Sequence, residues 1–402
     1  MFIQIFIAIF IGVFLGIITG LIPGIHVNLI SILLITLSPI LLSYTNPIVL
    51  SILIIALSTT HSFLDAIPSI FLGAPDADQA LNVLPGHKLF LQGKGVEAVK
   101  LTVIGSLLCL ITSILLVPIF IPIVTYLHPL IKNYIGYLLA ILILFMILKD
   151  KTLKKILKNI FIFTLSGTLG LIILTSNFKD PLFPMLSGLF GTSTLIISLT
   201  ETNNIPIQSF KETLEIKYKS IIQAISGGTV AGFLTSFFPG MGPAQGAVLA
   251  SQFTKNIGDY GFMILVGGIN TVNFVLSLIT FLILNKARNG AVIAVSNFLP
   301  KLTIQILILF LASTLLIGGI ATILTLKISK IFAKIISKVN YQDLVIIVIT
   351  LITCLVFALT SFSGLIILII STFIGILPPK LNTPRHHSMG CLLLPITLFL
   401  IL

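Results

Sequence analysis

The chain has no tryptophan, only three cysteines in 402 residues, and only 8% charged residues. Each scarcity excludes something. A water-soluble domain carries about 25% charged residues, so an ordinary soluble enzyme or binding module is excluded. Cys109, Cys354 and Cys391 sit singly within apolar runs, with no metal-ligand spacing and no disulfide framework. HExxH, GxSxG, Walker A and clustered Cys/His motifs are all missing from the sequence. We therefore expect no enzyme activity, no metal site and no ATP hydrolysis by this chain. With no tryptophan, tyrosine must mark the membrane boundaries, and all seven tyrosines lie at or near the ends of apolar runs.

What the sequence does have is apolar length. Hydrophobic residues make up 57% of it and the mean hydropathy is +1.20. About 20 apolar residues cross a bilayer, and runs of that length repeat from end to end, giving roughly 10 spans. The expected fold class is all-α: a polytopic, multi-pass protein of the cell (plasma) membrane. The opening MFIQIFIAIF has no basic n-region and no small-residue cleavage site, so it reads as a retained membrane segment.

The net charge of +12 is read as topology rather than as affinity for nucleic acid. Lys149, Lys151, Lys154, Lys155 and Lys158 form one basic stretch, and Lys327, Lys330, Lys334 and Lys338 a second. Both are placed in the cytoplasm. Alternation then leaves only Lys132, Lys179, Lys286, Arg288 and Lys301 of the 23 Lys and Arg outside. Residues 329–340, with lysines on one helical face and Ile/Phe on another, read as an interfacial cytoplasmic helix.

The chain repeats itself. Residues 12–24, GVFLGIITGLIPG, align without gaps on 228–240, GTVAGFLTSFFPG. Gly12, Gly16, Thr19, Pro23 and Gly24 meet Gly228, Gly232, Thr235, Pro239 and Gly240. Downstream, 59–66 resembles 270–277, pairing Thr60 with Thr271 and Phe63 with Phe274. The uncharged Pro-Gly junctions suggest broken hairpins that enter and leave from one side, tolerated where freed backbone groups line a cavity. The expectation is two inverted-topology repeats, each a re-entrant hairpin plus about five spans. The first covers 1–200 (hairpin 1–43), a cytoplasmic linker 201–219, and the second 220–402 (hairpin 220–253). Inverted repeats with broken helices are typical of secondary transporters.

Helix ends at the breaks offer backbone N–H groups to an anion and C=O groups to a cation. The candidate substrate-binding residues are Pro23, Gly24, His26, Asn28, Pro239, Gly240, Gly242 and Gln245. His26, Asn28 and Gln245 could equally satisfy backbone exposed at the break. Thr19 and Thr235 could fill the gap left by each proline's missing N–H, and the GxxxG pairs could serve helix packing. His61 and Asp65 lie i, i+4 on one helix face in an apolar run, a functional-site hypothesis in a membrane. With Asp76 and Asp78 they are candidates for ion coupling or gating; the latter two could instead cap a helix. Lys286 and Arg288 could form an outer anion funnel or contact lipid headgroups.

These motifs resemble the large permease subunit of the tripartite tricarboxylate transporters, the TctA family. The resemblance rests on Gly16-x3-Gly20-Leu21-Ile22-Pro23-Gly24 and on Phe238-Pro239-Gly240-Met241-Gly242-Pro243. It also rests on Gly73-Ala74-Pro75, then Leu84-Pro85-Gly86-His87-Lys88 and Gln92-Gly93-Lys94-Gly95. It covers most of the first 250 residues. It implies a sodium- or proton-driven permease for a small organic anion. It further implies a small membrane subunit and an extracytoplasmic binding protein as partners. The chain departs from the pattern at Ala74-Pro75-Asp76-Ala77-Asp78, which adds two acids, and at Asn285-Lys286-Ala287-Arg288, which has lost its Pro-Gly. The competing reading is a flippase for a polyprenyl-phosphate or other lipid-phosphate, held at the same helix ends. A membrane scaffold and an intramembrane enzyme stand further behind.

Overall fold

The structure is a computed structural model. It describes residues 2–402 except 23–40, 75–82, 132, 151, 177, 179–180, 200–205, 211–213, 215, 238–241, 255–256 and 288. Helices are the only regular structure among the described residues. In chain order they are α1 (Phe2–Leu21), α2 (Pro47–Leu64), α3 (Ala66–Phe71), α4 (Val83–Leu91), α5 (Gly95–Leu115), α6 (Val117–Ile131), α7 (Ile135–Leu148) and α8 (Leu153–Thr175). Then come α9 (Leu182–Leu186), a π-helical turn (Ser187–Thr192), α10 (Ser193–Leu199), α11 (Tyr218–Phe237), α12 (Pro243–Phe253), α13 (Gly258–Leu284) and α14 (Gly290–Phe298). α15 (Ile304–Ile336), α16 (Tyr341–Leu381), a 3₁₀ turn (Arg385–Met389) and α17 (Gly390–Ile401) complete the chain.

Eight of these elements are long and apolar enough to cross a membrane among the described residues, or nine if α6 and α7 count as one span bent by 90°. The most enclosed are α13 and the α2–α3 unit. Phe2, Phe10, Phe14, Leu115, Ile308 and Phe373 point outward, as a lipid-facing surface requires.

Packing depends on small residues. In lipid no hydrophobic force draws apolar helices together, so close backbone approach must do so. Gly12, Gly16 and Gly20 of α1 face α2 so tightly that a Cβ would fall 2.5 Å from Ala56 Cβ, 2.6 Å from Thr60 Cβ and 2.9 Å from Leu64 Cβ, respectively. Both helices advance together along these rungs, so they are parallel. In the second half Gly228 faces Leu265 O at 3.1 Å and Gly232 faces Val272 Cβ at 2.5 Å, and α11 and α13 are likewise parallel. The two GxxxG pairs therefore serve helix packing. α5 crosses α13 where Gly105 meets the Ile264 carbonyl; Ser106 Oγ donates to Gly267 O (3.0 Å) and Thr271 Oγ1 to Ser106 O (3.0 Å). A second group forms where α17 lies on α8 through Gly170 and Cys391, and where the π turn meets α16 through Gly188 and Ser371.

One reading is corrected and two breaks within apolar stretches are added. α5 and α6 meet at a break at Leu116. Residues 329–336 are not a separate interfacial helix but the continuation of α15, because no Pro or Gly interrupts Thr322–Ile336. α16 is one element whose helical path breaks only at Ser361 (φ 58, ψ −157).

Candidate functional site

The second hairpin has described arms on both sides of its break. α11 is described to Phe237, and α12 starts at Pro243, whose fixed φ and missing N–H suit the first helical position. Gly242 is extended (φ −96, ψ 175), and its N–H donates to Gln245 Oε1 at 2.9 Å. Gln245, buried, thus closes the N-terminus of α12 in the manner of a capping box. α12 returns along α11: a Cβ on Gly246 would meet Thr235 Cγ2 at 2.5 Å. Eleven residues of helix are about 16 Å long, roughly half the hydrocarbon thickness. Meanwhile the α11–α13 register brings Phe237 level with Phe274, and α13 runs on to Leu284. The described end of α11 therefore lies partway along α13.

A chain of buried and half-buried polar side chains meets this end. Thr235 Oγ1 donates to Gly232 O (3.0 Å) and accepts from Asn273 Nδ2 (3.0 Å). Asn273 Oδ1 accepts from Asn289 Nδ2 (3.1 Å), and Asn289 Oδ1 accepts from Ala291 N–H (3.0 Å), capping α14. The first half has the same start. Thr19 Oγ1 donates to Gly16 O (3.3 Å), and His61 Nδ1 lies 3.1 Å from Thr19 Oγ1. With the Thr19 proton on Gly16 O, the tautomer that carries its proton on Nδ1 makes His61 the donor. Both threonines thus tie a hairpin arm to its parallel neighbour. Their hydroxyl protons go to the carbonyl three residues back, so filling the gap below the proline is not their contact here.

The packing also corrects the internal alignment. Along the sequence, Thr60 matched Thr271. The glycine rungs instead place Leu57 with Ile269 and Thr60 with Val272, one residue away. In this register His61 corresponds to Asn273, Asp65 to Ser277, and Gly73 (φ 63) to Asn285 (φ 52). A helix turns 100° per residue, so the register decides which residues share a face. The Thr/Phe identities were coincidences of an apolar sequence.

Asp65 sits at the joint of α2 and α3. The joint has a cause: Pro68 cannot donate to Leu64 O, and its ring crowds that carbonyl. Ser69 Oγ donates to Asp65 O (2.9 Å), and His61 and Asp65 are 4% and 2% exposed. The Thr59 and Thr60 hydroxyls beside them, and that of Ser277, are buried without a hydrogen-bond partner.

Of the other sequence candidates, Pro23, Gly24, His26, Asn28, Asp76, Asp78, Pro239, Gly240 and Arg288 lie outside the described residues. Lys286 is exposed, next to the left-handed Asn285 that ends α13. No group of three His, Cys, Asp or Glu among the described residues could hold a metal ion.

Sequence reading missed two anchors. Gln208, 2% exposed in the linker, accepts from Gly95 N–H (2.9 Å) and donates to Phe90 O (3.1 Å) and Pro206 O (2.9 Å). It ties the linker to the α4–α5 turn, together with Ser209 N–H to Gly93 O (2.7 Å). Nothing in a single glutamine signals this. Gln208→Ala should destabilise the protein by about 1–3 kcal/mol, read as a lower melting temperature and faster amide exchange at Gly95. Unchanged exchange would remove the anchor.

The second is His87, whose Nδ1–H donates to Ile70 O at 3.0 Å. Burial pushes its imidazole down to about 4 from the usual 6.5. The folded protein thus holds a neutral ring that the unfolded chain protonates below pH 6.5. Stability is full above that pH and falls as pH drops toward 4, by up to about 3 kcal/mol. Melting wild type and His87→Gln at pH 7 and 4.5 should show the larger loss in wild type. Equal losses would refute the assignment.

Among protein families, residues 6–390 match the one described as "Tripartite tricarboxylate transporter TctA family". An uncharacterized protein of Methanocaldococcus jannaschii is 31% identical over 358 residues, covering 86% of this chain and 87% of that one. No solved structure matches the chain.

Proposed function

Because this chain belongs to the tripartite tricarboxylate transporter TctA family, we propose that it is the permease of a secondary transporter for a small organic anion such as a carboxylate, driven by a sodium or proton gradient. The observation that supports this most is the duplicated hairpin arm, tied by Thr19 to His61 in one half and by Thr235 to Asn273 in the other. We read the halves as an inverted pair whose helix ends meet the substrate. Backbone donors and the partial positive charge at a helix N-terminus suit a carboxylate without a lysine or arginine. His61, Asp65, Asp76 and Asp78 remain the candidates for coupling, and Lys286 and Arg288 for an outer funnel. A small membrane subunit and an extracytoplasmic binding protein are the proposed partners, in the plasma membrane. No specific observation favours a lipid-phosphate flippase.

The test is uptake of labelled citrate and related acids into vesicles containing the purified protein, under imposed sodium and pH gradients. Gly24→Val and Gly240→Val should each abolish uptake while leaving expression intact, since a branched side chain would block close approach to the backbone. Normal uptake by both would defeat the site assignment.

A further inference from the structure

We propose that the coupling ion is a proton and that it binds at His61 and Asp65, in the first half only. This rests on the transporter reading above and adds the ion and its location.

The argument starts from what duplication kept and what it changed. The packing register makes Thr19 equivalent to Thr235, His61 to Asn273 and Asp65 to Ser277. The hydrogen bond that ties the hairpin arm needs one N–H aimed at a threonine hydroxyl. An asparagine supplies it at 3.0 Å in the second half, where an imidazole supplies it at 3.1 Å in the first. A histidine is therefore not required for the structural role. Nor is a carboxyl required at the equivalent of Ser277, which is fully buried with an unpartnered hydroxyl. Titratable chemistry is what the first half has in excess, and two titratable groups at i, i+4 can take up and release a proton within one helical turn.

Among the described residues, the surroundings leave that role to this pair. α1, α3 and α14, which pack against α2, carry no titratable side chain. α5 contributes Glu97, Lys100 and Cys109; α13 contributes Asp259 and Tyr260; α15 contributes Lys327, Lys330 and Lys334. α4, packed on α3, contributes His87 and Lys88. All but Cys109 lie in the first turns of α5 and α13, the last turns of α15, or the short α4. Phe71, with ring centroids 5.5 Å from Phe90 and 5.9 Å from Phe332, forms an aromatic layer at that end. Asp65 lies about 9 Å of helix inside it.

The test reads protonation directly, so it does not depend on knowing the substrate. Infrared difference spectra of the purified protein in lipid are recorded across a pH titration. Wild type should show a protonated-carboxyl C=O band that disappears in Asp65→Asn. In His61→Asn, which keeps the donor to Thr19, the band should remain with a displaced midpoint. Ser277→Asp should add a second band. A wild-type spectrum without such a band, a band that survives Asp65→Asn, or a midpoint unmoved by His61→Asn would overturn the proposal. In vesicles, citrate uptake should follow a pH gradient and ignore a sodium gradient; sodium-driven, pH-insensitive uptake would also overturn it. If no acid is taken up while the infrared pattern holds, the transporter reading fails and the proton site stands.

Discussion

Valine in place of Gly105 is expected to leave almost no folded protein in the membrane. A Cβ at this position would overlap the carbonyl of Ile264 on α13, and backbone cannot rotate away as a side chain can. Ser106 Oγ to Gly267 O and Thr271 Oγ1 to Ser106 O hold the same crossing at 3.0 Å each, so separating the helices also breaks both bonds. Overpacking alone costs about 1–3 kcal/mol, and two lost buried hydrogen bonds add about 1 kcal/mol each. Gly319→Val is the control, since nothing lies within 4 Å of a Cβ there. The measurement is detergent-extracted monodisperse yield and melting temperature. Equal yields from the two variants would show that the α5–α13 crossing opens freely.

That crossing marks the limit of what the sequence disclosed. Gly12, Gly16, Gly228 and Gly232 were visible because each pair has the spacing that puts two small residues on one helix face. Gly105 has no second glycine four residues away on its own helix. What makes it tight is Ile264 on another element, and no local pattern encodes that. The element types followed from apolar length. The break before Pro243 followed from proline and glycine chemistry, whereas the joint before Pro68 came only from the structure. Nor did the break at Ser361 follow, because φ 58 is not a conformation that a serine's own preference specifies.

Around the candidate site, the repeated Thr before each Pro-Gly was legible, and Thr19 and Thr235 each tie one helix to its parallel neighbour. The Pro-Gly residues themselves lie outside the described residues. Asn289 was overlooked because its partner, Asn273, is reached only when α14 folds back on α13. The register between the halves was off by one residue, because identities in a four-letter apolar alphabet are frequent by chance. Close backbone rungs are a stronger constraint than such identities, and only the three-dimensional packing supplies them.

Replacing Asn273 gives the second large effect, and the choice of substitute separates its two jobs. Asn273 donates to Thr235 and accepts from Asn289, so it links the hairpin arm to the capped start of α14. Leucine removes both functions: it leaves the buried Thr235 oxygen without its donor, at about 1–3 kcal/mol, and releases the half-buried Asn289 amide. Citrate uptake should fall by roughly tenfold or more, as 1.4 kcal/mol of misplacement is already about tenfold. Histidine at this position keeps the donor that His61 supplies to Thr19 in the first half. Aspartate keeps the acceptor for Asn289 but cannot donate to Thr235 when ionised, and it places a charge in an apolar interior. The expected order of melting temperature and uptake is therefore wild type, then Asn273→His, then Asn273→Leu and Asn273→Asp. If aspartate outperformed histidine, the acceptor to Asn289 would be the bond that matters. The equivalence of His61 and Asn273, on which the asymmetry between the halves depends, would then lose its support.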